Sequence, residues 1–185
     1  MRILGIDPGT RKVGWAIFDT ELQSFTSHGH SIFDDPDIDY RLEGIRIWLF
    51  RMLESTWRDV SIVSYEKMFS NGTSADAPLA TFTWLLRIAT KKSFSKDDAV
   101  EIKEIPHSLA YKLVCGEGSV EKKWVKSVLE LTYNAKFSTL DESDAAAMAL
   151  AAWKRGYEQK PEKKKKPRLK RVEASLHEID DCLSS

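Results

Sequence analysis

The chain is poor in the residues that staple small domains or hold soft metals. Its 185 residues include two cysteines and four histidines. Cys115 and Cys182 lie far apart and show no metal-ligand spacing. A reducing compartment with structural or incidental thiols is therefore expected. No apolar run approaches the roughly 20 residues of a membrane span. Met1-Arg2-Ile3-Leu4 reaches Asp7 too soon for a signal peptide. There is no internal repeat, and no excess of one charge: 28 basic residues balance 28 acidic ones.

The balance hides an uneven distribution. Residues 154–171 hold 10 basic and 2 acidic side chains, and 172–185 hold 4 acidic and no basic ones. A 42% hydrophobic, 30% charged chain of this length suits one globular domain, 1–157, followed by a flexible basic then acidic tail, 158–185.

Within the domain, apolar periodicity predicts strands over 2–7, 13–19, 22–32, 60–66 and 99–105. Helices are predicted over 38–54, 79–91, 119–131 and 141–153, with a helical turn over 108–113. On the helix over 119–131, Val120, Trp124, Val125, Val128 and Leu129 are expected to form the buried side. Three antiparallel strands followed by strands alternating with helices imply an α/β fold with a mixed five-stranded sheet flanked by helices.

Four carboxylates stand out. Asp7 ends an apolar strand before Pro8-Gly9, and Glu66 ends "VSIVSYE". Asp141 and Asp144 are spaced i and i+3, hence on one helix face. Each has an ordinary reading. Asp141 suits a helix first turn, Asp7 a turn before proline, and Glu66 a strand end. Four together are harder to explain that way.

Two carboxylates 4 Å apart repel by roughly 4 kcal/mol at an effective dielectric of 20. Either their pKa values rise or divalent ions bind. Oxygen-only ligands favour Mg²⁺ or Mn²⁺ over Zn²⁺. Two such ions suit phosphodiester hydrolysis, one activating water and one stabilising the leaving oxygen. His28 and His30, flanking a glycine, read as surface or edge histidines.

"GIDPGTRKVGWAIFD", "YEKMF", "GEGSVEKK" and "DESDAAAMALA" occur in that order. Together they resemble the motifs of the RuvC family of Holliday-junction resolvases, over roughly residues 1–155. The resemblance implies a ribonuclease H-like fold. It also implies a homodimer that nicks two opposed strands of a four-way junction symmetrically, leaving ligatable 5′ phosphates. It makes Asp7, Glu66, Asp141 and Asp144 the catalytic acids and the ligands of two Mg²⁺ per site, with Mn²⁺ as a substitute.

It assigns Phe69 to junction DNA and Lys122, with Lys112 on a looser match, to basic family positions. Lys123 and Lys126 share a helix side with Lys122 and are further candidates for phosphate contact. The helix near 79–91 is either a dimer contact, through Phe82, Trp84, Leu85 and Ile88, or an ordinary core helix. A cytoplasmic setting, in a bacterium or a phage-infected host, is expected.

The Trp-rich core and the lysine run depart from a typical bacterial member and leave room for a nuclease that also cuts Y-junctions, flaps and forks. Three other classes share parts of the pattern. "GIDPGT" also resembles phosphate loops of sugar kinases and actin-like ATPases. The RuvX/YqgF type shares the first motif and acts in RNA processing. A non-catalytic junction-binding module would bind without cutting.

Overall fold

A computed structural model describes residues 1–67, 77–93 and 100–157. The five strands are β1 (Arg2–Asp7), β2 (Lys12–Asp19), β3 (Ser24–Ile32), β4 (Val60–Glu66) and β5 (Glu101–Ile105). The helices are α1 (Ile38–Glu54), α2 (Ala77–Ser93), α3 (His107–Cys115), α4 (Lys122–Tyr133) and α5 (Leu140–Tyr157).

The strands form one sheet in the order β3-β2-β1-β4-β5. β1 and β2, and β2 and β3, pair antiparallel; β1 and β4, and β4 and β5, pair parallel. The mixed sheet expected from the element order is the one observed. β1, central and apolar on both faces, lies under helices on each side.

Alternation divides the core in two. Leu4, Ile6, Val13, Val63 and Tyr65 face a cluster closed by Ile45, Leu49 and Leu53 of α1 and by Phe82, Leu86 and Ala89 of α2. Ile3, Ala16, Phe18 and Ile62 face the other way, under the alanine-rich run of α5 and under Val125 and Leu129 of α4. α2 contributes Phe82 and Leu85 to the core, while Trp84 on the same helix is exposed.

Two elements differ from expectation. The 108–113 turn is a full helix, ended by Gly116 in the left-handed conformation. Trp124 is 59% exposed, because the buried stripe of α4 runs through Val125 and Leu129, one helical position further round. The predicted tail, Cys182 and Phe69 lie outside the described residues. Among the described residues, no helix is long and apolar enough to cross a membrane.

Candidate active site

Asp7 belongs to the sheet face that carries α5, with Ile3 and Gly5. Glu66 reaches the same face through an irregularity. The β1–β4 register shifts between Arg2↔Val60 and Ile3↔Ile62, so Ser61 is an extra residue in β4. Val60 packs with Val63 and Tyr65 on the α1/α2 side, whereas Ile62 packs under α5. Without the bulge, strict alternation from Val60 would aim Glu66 at the wrong face. With it, Glu66 follows Ile62 and Ser64 to the Asp7 side, one residue beyond the paired Ile6 and Tyr65.

α5 supplies the other two acids, and glycines let it approach. A Cβ on Gly5 would lie 1.9 Å from the Ala145 carbonyl oxygen, and one on Gly14 would lie 2.2 Å from that of Asp141. Gly14 is also the register partner of Asp7. The start of α5 therefore rests on the bare backbone beside Asp7, with Asp144 one turn on and 1% exposed.

The polar contacts around the acids come from three further elements. Lys12 Nζ lies 2.6 Å from Asp141 Oδ2. Tyr111, fully buried on α3, donates its hydroxyl to Asp144 Oδ1 at 2.6 Å. Lys122, at the start of α4, donates to Asp144 Oδ2. The Asp7 carboxyl sits among these groups, close enough to feel Asp144, Lys122, Glu66 and Asp141. Burial pushes its carboxyl up to about 8; the Asp144, Glu66 and Asp141 carboxylates add to the rise and the Lys122 ammonium opposes it.

Burial, then the bond to Asp144, pushes the Tyr111 phenol well above its usual range. Lys122 is raised too: its burial is outweighed by the bond to Asp144 and by the charges of Asp144, Asp7 and Glu66. The structure thus brings Asp7, Glu66, Asp141, Asp144 and Lys122 together.

The remaining candidates stand apart from this cluster. Lys112 is exposed on the last turn of α3 and makes no hydrogen bond to the acids. Lys123 is exposed, and Lys126 lies along α4 at 3.8 Å from Glu130.

Four contributors escaped sequence reasoning. Tyr111 sits beside Lys112, and only the facing of α3 distinguishes them. Lys12 lies inside the first motif. His28 and His30 are not plain edge histidines: their rings bond to the buried Glu142 at 2.9 and 2.7 Å. The alternation of His28 and His30 along β3 was the available signal.

As the side chains lie, no three His, Cys, Asp or Glu residues among the described residues form a group able to hold a metal ion. Asp141 and Asp144 are engaged by lysines instead. The donor set still fits a hard divalent cation. It is made of carboxylate oxygens, it surrounds an under-compensated Asp7, and the Lys12 and Lys122 ammonium groups are what must turn away from Asp141 and Asp144 to open it.

No family model matches the chain. Two relatives bear the name "Crossover junction endodeoxyribonuclease RuvC". The protein from Sorangium cellulosum is 29% identical over 156 residues, spanning 81% of this chain and 83% of its own. That from Rhodopseudomonas palustris is 27% identical over 155 residues, spanning 81% and 85%. Among solved structures, Thermus thermophilus RuvC aligns with a TM-score of 0.68 at 17% identity, covering 85% of this chain and 96% of its own. The same protein in complex with a Holliday junction substrate aligns with a TM-score of 0.64 at 16% identity, covering 85% and 97%. Relatives spanning four fifths of the sequence, and a shared fold over the same span, agree with the four ordered motifs: the chain is similar in sequence to proteins named RuvC and shares the fold of Thermus thermophilus RuvC.

Proposed function

We propose that the chain is a metal-dependent endonuclease that resolves four-way DNA junctions as a homodimer, by paired nicks in opposed strands. One observation carries the reading. Four carboxylates from three separated stretches converge at the ends of the inner strands β1 and β4, around an Asp7 that burial and its neighbours push up to about 8. The context supports it: the relatives are named crossover junction endodeoxyribonucleases, and the Thermus thermophilus structure holds a Holliday junction.

Asp7, Glu66, Asp141 and Asp144 would hold two Mg²⁺ ions, with Mn²⁺ as a substitute; such ions activate the attacking water and stabilise the leaving 3′ oxygen. The protein's own groups do the rest. Asp7, protonated up to about pH 8 without cations, would give its proton to solvent and be held ionised with cations bound. Tyr111 keeps Asp144 Oδ1, so Oδ2 is the oxygen that changes partner. Lys122, freed from Asp144, is left pointing at the site with a mobile ammonium for a DNA phosphate. Lys123, Lys126 and Lys112 are further phosphate contacts in this reading, and Phe69 contacts the junction itself. Four such contacts would give a salt slope of about −3.6 in log K against log salt.

The test is cleavage of labelled four-way, three-way and linear duplex DNA with Mg²⁺ or Mn²⁺, beside Asp7→Asn. Paired nicks in the four-way junction, absent in the variant, are expected. Equal cutting of all branched forms would make this a broader debranching nuclease. No cutting of DNA under either metal would overturn the enzyme reading.

A further inference from the structure

Glu142 lies between two of the proposed catalytic acids and points away from them. It is 2% exposed, although it carries a carboxylate. Such a group is costly to bury unless it is fully partnered. Its partners come from across the sheet. His28 Nδ1 lies 2.9 Å from Oε2, and His30 Nδ1 lies 2.7 Å from Oε1. The Ser138 backbone N–H donates to Oε2 at 3.0 Å. Burial alone would raise its pKa, but His30, Ser138 and His28 together hold it low.

The register explains why these histidines matter to the site. His30 pairs with Gly14, and Gly14 pairs with Asp7. His28 pairs with Ala16, which pairs with Gly5. Two rows therefore cross three strands beneath the start of α5. At one end stand Gly5 and Asp7; at the other stand the two histidines. Asp141 rests on Gly14 in the middle. The body of α5 is already held by Ala145–Ala152, all buried. That smooth alanine surface resists removal from the sheet but offers little against sliding or rotation. A buried polar network with fixed donors supplies direction where alanines do not.

We infer that Glu142, clamped by His28 and His30, is a positioning residue: it sets the rotation of α5 so that Asp141 and Asp144 face Asp7. It touches no reacting atom. This inference rests on the metal-dependent nuclease reading above.

The experiment compares wild type with His30→Ala, His30→Asn, His28→Ala and Glu142→Gln in the full chain. Asn can present an amide N–H close to where His Nδ1 lies. Two quantities are read: the Mn²⁺ concentration giving half the maximal thermal shift without DNA, and that giving half-maximal cleavage of a four-way junction. In the alanine variants and Glu142→Gln both should rise about tenfold, the lower end of what losing the support that orients metal ligands costs. His30→Asn should return to within about twofold of wild type, and junction binding in EDTA should stay unchanged.

A role confined to stability would lower the metal-free melting temperature and leave the Mn²⁺ midpoints of the folded protein where they were; that result overturns the inference. Should Glu142→Gln fail to fold, the histidine variants decide. A wild-type chain that neither binds Mn²⁺ nor cuts overturns the nuclease reading and this inference with it. A wild type that does both, with unchanged variants, overturns the inference alone.

Discussion

Tyr111 gives the cleanest single-atom question in this molecule. Its ring is fully buried and its hydroxyl donates to Asp144 at 2.6 Å. Tyr111→Phe keeps the packing and removes that donor. The fold should lose only about 1–3 kcal/mol, read by denaturant melting. The metal midpoint and the cleavage rate should suffer by about 10–100-fold, because Asp144 loses the bond that orients it.

Asp7 makes a second prediction, in pH. Its folded pKa, about 8, stands above the ordinary value of 3.8. The folded state therefore holds a proton that the unfolded chain releases near pH 4. The stability of the metal-free protein should fall as pH rises between those two values, by up to a few kcal/mol. Asp7→Asn should flatten that slope, and Mg²⁺ should offset it in wild type. Melting temperatures from pH 4 to 9 test both. A wild-type curve parallel to that of the variant would contradict the account of Asp7.

At the scale of elements, the site depends on one bulge and one pair of glycines. Gly14→Ala would force a Cβ to within 2.2 Å of the Asp141 carbonyl oxygen, a main-chain atom that cannot swing aside. The start of α5 must lift. Overpacking of this kind costs about 1–3 kcal/mol, so a folded protein is expected by circular dichroism. Cleavage should drop more than tenfold, because the displacement falls on Asp141 beside Asp7.

The same elements mark how far the sequence could be read. α1 and β4 have the bounds that periodicity predicts, since their apolar spacing is strong. The four acids were legible from their placement at strand ends and on one helix face. The facing of Glu66 was not, because a one-residue bulge at Ser61 leaves no mark in the apolar pattern. Nor was Tyr111. Choosing it over Lys112 requires knowing which side of α3 meets α5, and α3 itself reads only as a turn. Trp124 misled for a related reason: an aromatic next to the buried stripe of α4 looks like part of it, yet it is 59% exposed.

For the whole molecule, the distribution of charge matters more than its sum. The acid cluster would repel a phosphate backbone, and the described lysines nearest to it, Lys12 and Lys122, are spent on Asp141 and Asp144. Long-range attraction to DNA must then come from elsewhere, and residues 154–171 hold 10 basic against 2 acidic side chains. Such a segment attracts phosphates without reading bases, and its contribution falls steeply with salt.

A chain ending at Tyr157 should therefore bind four-way and linear DNA more weakly by the same factor. Its plot of log K against log salt should be shallower by about 0.9 for each lost phosphate contact. Junction preference and the Mn²⁺ midpoint should stay as in the full chain, because the acids and their Tyr111, Lys122 and histidine supports all lie within 1–157. Competition binding across a salt series measures affinity and preference in one experiment. If truncation erased the preference for the junction while leaving duplex binding intact, the tail would be a structure-selective element. Selectivity would then have to be sought outside the sheet and its acids.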